Sequence, residues 1–363
     1  MTHDDGAIPE DNRFESDPVE VLDEHTLPDD WVVDTADHGA DVARLTELLR
    51  AHETAGRGWP GSGPDDILVE ISPRGERMRA NVVLRDPTGS IRAWGSAHDR
   101  AAGRMLFVHV VDRELDASTA QRCATVLFDW AQGQARALGA ARGLDVQQID
   151  TGAYAEDDRQ QAWLSRAGFR RVRTWWQMSR PVTTDESALV PDPAGWESDR
   201  GTTFRRVERG EDGMPTEDDL RAVHDVLEAA FADHFNSHEE SFAEFVHRLR
   251  EDPGHRWDHW WLAEVEGEPV GALVGTVSES DDGPDGSYVA YLGVLDSARG
   301  RGVAKGLLHT ILADAATRGR NRVGLEVDAD SPTGADGLYT ALGWQTSYVT
   351  ESWHLDVPVH END

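Results

Sequence analysis

The feature that most constrains this chain is that it repeats itself. Slid by 181 residues, Val126-Leu127 falls on Leu307-Leu308, and Gly143-Leu144-Asp145-Val146 falls on Gly324-Leu325-Glu326-Val327. After a six-residue gap, Ala167-Gly168-Phe169 matches Leu342-Gly343-Trp344, and Trp176 and Pro181 pair with Trp353 and Pro358. Ordered agreement of this kind predicts a duplicated domain of about 150 residues. The length of 363 residues is in keeping with two domains. The expected organisation is an acidic disordered tail over 1–28, a first domain over 29–181, a linker over 182–200, a second domain over 201–358 and a short tail over 359–363. The linker assignment rests on Pro191, Pro193 and Gly195 among several acids.

In the second half the hydrophobic period changes repeatedly. A strand is expected over 203–207. Leu220, Val223, Val226, Leu227, Ala230 and Phe231 then recur at spacings of three and four, a helical pattern. A second helix is expected over 239–250, ended by Pro253-Gly254. Strands over 260–265 and 270–278 flank Glu266-Gly267-Glu268, a hairpin signal. A third strand covers 288–295. Beyond the turn Arg299-Gly300-Arg301-Gly302, Val303, Leu307, Leu308, Ile311, Leu312 and Ala315 share one helix face. A strand over 322–328, a short helix carrying Tyr339 and a last strand over 347–357 complete a mixed α/β sheet, one crossover running through helix 303–318.

Composition narrows the partners. A net charge of −33 argues against nucleic acid or an anionic membrane, since phosphate binding needs a cationic surface. It could steer a cationic acceptor, or serve solubility and salt adaptation. Lys305 is the only lysine. A single cysteine, Cys123, excludes an internal disulfide and a cysteine zinc cluster, and sits in an apolar helical pattern that predicts a buried thiol. No apolar run approaches the roughly 20 residues of a membrane span, and the N-terminus has no secretory signal. A soluble, cytoplasmic protein is expected.

The turn at Arg299 to Lys305 is the first candidate site. Residues that open a helix leave backbone N–H groups unpaired, and the helix dipole adds attraction for an anion. Gly300 and Gly302 let the backbone approach a diphosphate with no Cβ in the way. A rival reading is a dinucleotide loop, because Gly300, Gly302 and Gly306 approximate G-x-G-x-x-G, with the acid Glu326 further on. Against it, the third glycine is one place late and Asp296-Ser297-Ala298-Arg299 separate strand from loop.

Arg299-x-x-Gly302-x-Ala304, together with Leu325-Glu326-Val327 and Leu338-Tyr339-x-x-Leu342-Gly343-Trp344, resembles the two signature motifs of the GNAT superfamily of N-acetyltransferases. A tandem pair with a worn first copy resembles that superfamily's mycothiol synthase branch. The resemblance implies two GNAT-like domains, each a mixed, mostly antiparallel sheet flanked by helices, the N-terminal copy degenerate. It implies an acyl-CoA-dependent enzyme that moves acetyl from acetyl-CoA to a primary amine of a small molecule or peptide by direct attack, with no metal. Backbone amides of Arg301, Gly302, Val303, Ala304 and Lys305, beside Arg299 and Gly300, would hold the CoA diphosphate. The edge Leu292-Gly293-Val294 would pair with the pantetheine arm, and one of its N–H groups would polarise the thioester carbonyl. Ser331 stands where the family often has asparagine, and the loop there is about one residue longer.

Direct transfer needs two proton movements. A phenol with a pKa of about 10 can protonate a thiolate whose conjugate acid lies near about 8.5, which suits Tyr339. A packing tyrosine is the bland alternative. Glu326 alternates away from Val323, Leu325 and Val327 and is the candidate base; Glu264 and Glu239 are reserves. Among the clustered histidines, His234 and His238 could line an acceptor pocket, while no H-E-x-x-H supports a metal. In the first half, Ser118, Gln121, Cys123 and Leu164 replace Arg299, Gly302, Ala304 and Tyr339 under the two offsets, so that copy lacks the apparatus, and Ser118 or Thr119 caps a helix. The alternatives are a non-catalytic acyl-CoA-binding or sensor module and a dinucleotide oxidoreductase.

Overall fold

A computed structural model describes residues 27–71, 79–100, 103–232, 241–251, 255–280, 283–331 and 335–360. The first repeat carries β1 (Val32–Asp34), α1 (Val42–Arg57), α2 (Pro64–Ile71), β2 (Arg79–Arg85), β3 (Ile91–Asp99), β4 (Arg104–Val111), α3 (Ala117–Ala141), β5 (Val146–Tyr154), α4 (Asp158–Arg166) and β6 (Arg170–Pro181). The second carries β7 (Gly195–Glu197), β8 (Thr202–Arg206), α5 (Glu217–Phe231), α6 (Phe242–Glu251), β9 (His255–Val265), β10 (Glu268–Ser278), β11 (Gly286–Val294), α7 (Val303–Thr317), β12 (Arg322–Asp328), α8 (Ala335–Ala341) and β13 (Gln345–Pro358). The mixed α/β class expected from the period changes is the class observed.

The chain folds as two compact units, one of residues up to Thr174 with those from Thr350 on, the other of Trp175–Val349. Each unit thus takes its last strand from the other repeat. In the first unit β13 lies antiparallel to β5, Thr350 opposite Tyr154 and Pro358 opposite Val146. In the second, β6 lies antiparallel to β12, with Arg322 opposite Pro181 and Glu326 opposite Gln177. The strand orders are β1-β2-β3-β4-β5-β13 and β7-β8-β9-β10-β11-β12-β6. Pairing is antiparallel except at β4–β5 and β11–β12, each joined through a long helix.

Local chemistry explains these elements. In α3, Ala120, Cys123, Ala124, Leu127, Ala131 and Leu138 form a buried stripe at helical spacing; burying a Leu- or Val-sized side chain contributes about 1.5–3 kcal/mol. Burial pushes the Cys123 thiol up to about 12, so it is an unreactive core residue. The β9–β10 hairpin turns at Glu266 and Gly267, both left-handed at φ 56° and 83°, the pair of positive φ values that a two-residue turn matched to strand twist requires. Strand β9 begins at His255, five residues earlier than its apolar run, and Trp260 and Trp261 within it are fully buried.

Two sequence readings need correction. Gly143 ends α3 at φ +66°, and β5 begins only at Val146, whereas Gly324 lies inside β12. The four-residue match between 143–146 and 324–327 is therefore not a structural equivalence; α3 has 25 residues against 15 in α7. The segment 182–200 is no free linker. It forms a short 3-10 helix, Thr184–Ala188, and β7, whose Trp196 stacks on Phe204 at 4.4 Å and donates to Thr310 Oγ1 at 2.9 Å. Among the described residues no helix is long and apolar enough to cross a membrane. The acidic tail expected over 1–28 lies almost wholly outside the described residues.

Burial holds four histidines neutral: His52 and His259 down to about 4, His98 and His109 down to about 3. Unfolded, each would titrate near about 6.5. Below that pH the unfolded chain binds more protons, so the stabilisation is complete above 6.5 and is lost as pH falls toward these folded values. The melting temperature should therefore drop steadily from pH 6.5 to 4, and His109→Gln should flatten the slope. A melting temperature unchanged between pH 7 and 5 would refute this.

Candidate functional site

The site is built where two parallel strands part. β11 and β12 pair only through Ser287–Val323, Tyr288–Gly324 and Val289–Leu325. The β10–β11 ladder then skips Ala290, a bulge, before running on to Gly271–Val294. A bulge bends its strand and increases twist, which carries 290–294 away from β12 and leaves one side of that stretch without a ladder. Leu295 donates its N–H to Val270 O at 2.9 Å. Alternation along the strand therefore turns the N–H groups of Val294 and Leu292 to the open side. Gly293 is glycine for another reason: a Cβ there would come within 3.0 Å of Leu227 and Ala230 on α5.

The open edge leads into the arginine-glycine turn. A 3-10 turn, Asp296–Ala298, precedes Arg299, and Gly300 and Gly302 are left-handed at φ +75° and +85°. No atom lies within 4 Å of where a Cβ would stand at either glycine, so the turn demands glycine for its backbone and leaves the space before it clear. Gly302 is the N-cap of α7 and offers no side-chain cap. Val303 is buried and anchors the helix, while Arg301 and Lys305 are exposed. Arg299 pairs with Asp296 at 2.8 Å on the exposed rim. Arg200 reaches the Gly300 carbonyl at 3.3 Å, a cation that no motif had indicated. Uncapped amides, a dipole's positive end and four nearby cations fit a diphosphate. Gly306 does not belong to the cradle: a Cβ there would lie 2.1 Å from the Phe204 ring, so it is a packing glycine, and the dinucleotide loop loses its third member.

On β12, Val323, Leu325 and Val327 face the core and Glu326 projects outward into an exposed position. Gln177 on β6 donates from Nε2 to its carboxylate. Partial desolvation by the protein packed around the carboxylate raises the Glu326 pKa above the ordinary glutamate value, opposed by the Gln177 hydrogen bond and aided by Asp328. The Tyr288 ring lies over Gly324, where a Cβ would approach it to 3.1 Å. Burial, reinforced by Glu326, holds the Tyr288 phenol well above its ordinary value.

Tyr339 sits on α8, which ends at Gly343, φ +93°, with the Trp344 N–H bonded to the Tyr339 carbonyl at 3.0 Å, the pattern of a glycine-terminated helix. Its ring packs on the core of α7, β11 and β12 and meets Trp344 edge-on at 6.2 Å. Burial pushes its phenol up to about 12. The reserve base Glu264 is tied to Arg205 at 2.7 Å, in an ion-pair group with Asp219. Glu239, His234 and His238 lie outside the described residues. Among the described residues no group of three or more metal-ligating side chains occurs.

The same region of the first unit is filled by its own chain. β4 and β5 also part after three pairs, Arg104–Gln148 to Leu106–Asp150. There Arg159 donates to the Val111 carbonyl at 3.1 Å, and Gln160 bonds Gly152 O and Tyr154 N, each at 3.2 Å. His109 meets Gln160 at 3.1 Å. At the helix start the Asp116 carboxylate accepts from Ser118 N and Thr119 N at 3.0 and 3.1 Å. Asp116, not Ser118 or Thr119, is thus the cap, and its negative charge occupies the amides an anion would need.

Residues 221–344 match the Acetyltransferase (GNAT) family. The mycothiol acetyltransferase of Salinispora arenicola is 32% identical over 253 residues, 68% of this chain and 76% of that protein. That of Thermobispora bispora is 32% identical over 219 residues, 58% of this chain and 66% of that protein, just under two thirds of its length. That of Frankia alni is 29% identical over 332 residues, 87% and 91% of the two chains. Among solved structures, a GCN5-related N-acetyltransferase from Sphaerobacter thermophilus superposes with TM-score 0.70 at 22% identity, covering 92% of this chain and 97% of that one. A tandem GNAT protein from the clavulanic acid biosynthesis pathway gives 0.61 at 13% identity over 92% and 100%. At these identities the two structures speak for the two-domain fold alone.

Proposed function

The chain belongs to the GNAT acetyltransferase family, whose members use acyl-CoA as co-substrate, and from that premise we propose that its C-terminal unit transfers an acetyl group from acetyl-CoA to the primary amine of a small molecule related to mycothiol. The single observation carrying the choice of unit is the contrast between the two helix starts. α7 opens at an uncapped glycine with clear space before it, while α3 opens on its own carboxylate. The acceptor class follows the names of the relatives; a peptide N-terminus has no comparable support.

Acetyl-CoA supplies the activated acyl group: its C–S bond breaks as the C–N bond to the amine forms. In our reading, the amides of Arg301 to Lys305 bind the diphosphate, with Arg299 and Gly300 completing the turn. Leu292 and Val294 offer N–H groups to the pantetheine arm, and one of them holds the thioester oxygen as it gains charge. Glu326 takes a proton from the acceptor ammonium, freeing the nitrogen lone pair. Its raised pKa suits that task, because a more basic carboxylate makes the uphill transfer from the ammonium less unfavourable. Tyr339 donates its hydroxyl proton to the departing sulfur, and the second proton that the nitrogen sheds as the amide forms restores the phenol. At about 12 the phenol stays protonated throughout the working range, and the burial that weakens it as an acid also disfavours a free thiolate beside it.

Thiol release from acetyl-CoA over a panel of primary amines tests the reading. Amine-dependent release is expected, and none above background hydrolysis would defeat it. Glu326→Gln should lower kcat/KM by about 10²–10³-fold and abolish the acidic limb of the pH profile. In the parent, that limb should lie above the ordinary glutamate value, with activity lost as pH falls because the base becomes protonated.

A further inference from the structure

Strand β6 belongs to the first repeat in sequence, yet its residues 175–181 complete the sheet of the second unit. Two of its side chains reach the groups that the proposed reaction uses. Gln177 stands opposite Glu326 in the strand register and donates to its Oε2; the side chain is only 8% exposed, so the contact is held in place by packing. Arg180, three residues on, donates from Nε to the Leu342 carbonyl at 2.8 Å, at the end of the helix that carries Tyr339. Its guanidinium lies 5.8 Å from the Trp344 ring centre, and Trp344 in turn meets Tyr339. Arg180 is fixed from behind by Glu186 at 3.2 Å. Gly343 is glycine both for its φ and because a Cβ would approach Arg180 Nε to 3.2 Å.

We propose that Gln177 and Arg180 are positioning residues for acetyl transfer: Gln177 orients the Glu326 carboxylate and favours its ionised form, and Arg180 holds the helix end that presents Tyr339. The proposal rests on the roles given above to Glu326 and Tyr339. Its physical basis is simple. A donor to a carboxylate stabilises the charged state, and a reacting group displaced by about 1 Å can lose about 10²-fold in rate. The titratable groups about Glu326 are Asp328 on its own strand and Tyr288 on β11, with Tyr291 and Tyr348 beside Tyr288. Although Glu326 lies at the surface, the protein packed around its carboxylate partly strips it of water; that desolvation, with Asp328, pushes it toward the neutral form, and Gln177 is the hydrogen bond that opposes them.

The test is the pH dependence of kcat/KM, read beside acetyl-CoA binding by calorimetry. Gln177→Leu should move the acidic limb to higher pH by about one unit and, through lost orientation of the carboxylate, lower the plateau rate about tenfold, with acetyl-CoA affinity unchanged. Gln177→Glu keeps the shape of the side chain and so preserves packing; a like charge beside Glu326 should move the limb further the same way. Arg180→Met should lower kcat about tenfold with KM for acetyl-CoA unchanged, and Arg180→Lys, lacking the planar fork, should recover only part. If Glu326→Gln is inactive while both Gln177 variants keep the parent's pH profile, the positioning role is wrong. If Glu326→Gln itself retains turnover, the assignment of the base has failed instead.

Discussion

Gly302→Val should raise the KM for acetyl-CoA by about 10²-fold or more and remove the calorimetric signal of CoA binding, while leaving most of the fold intact. Gly302 holds φ +85° in clear space at the start of α7. A β-branched residue there is strained by about 1–3 kcal/mol, and it sets a side chain in front of the amides that would face the diphosphate. That strain should lower the melting temperature by a few degrees, with the protein still folded at the assay temperature. Gly306→Ala supplies the contrast, a loss of stability with the KM for acetyl-CoA unchanged. Its Cβ would meet the Phe204 ring at 2.1 Å, so it should lower the melting temperature by several degrees, as overpacking of a core does at about 1–3 kcal/mol. Unchanged KM in Gly302→Val would mean that the diphosphate binds elsewhere.

Tyr339→Phe should lower kcat by about 10²–10³-fold with acetyl-CoA binding preserved. The substitution keeps the ring, its edge-on contact with Trp344 and its packing on the α7 core, and deletes only the hydroxyl. A loss confined to kcat is what removal of a transition-state proton donor produces. A loss in binding would instead indicate a packing role. Because burial holds the phenol up to about 12, the parent should show no alkaline decline attributable to this residue below that pH. Full turnover in Tyr339→Phe would exclude it as the acid.

The elements around this site were largely legible in the residues themselves. The helical stripe from Val303 to Ala315, the alternation in β12, the turn at Glu266-Gly267 and the glycine that stops the tyrosine helix each encode a local geometry. What local pattern does not encode is the partner. Trp176 and Pro181 match Trp353 and Pro358 because the last strands of the two repeats are alike, and that likeness hides which sheet each strand joins. Gln177 and Arg180 were therefore invisible as neighbours of Glu326 and Leu342, which lie 149 and 162 residues further along the chain. Asp116 was missed for a smaller reason. An offset fitted to the middle of a longer helix does not align the helix starts, where the cap decides whether amides are available.

The traded edge strands have a consequence for how such a molecule is made and kept. A ribosome releases the first repeat long before β13, so that repeat waits, its sheet one strand short, until 350–358 have been synthesised. Cleavage between the repeats would leave each fragment holding the other's missing edge. Whatever chemistry the first copy retains, it cannot be discarded, because the second copy would lose a wall of its own sheet.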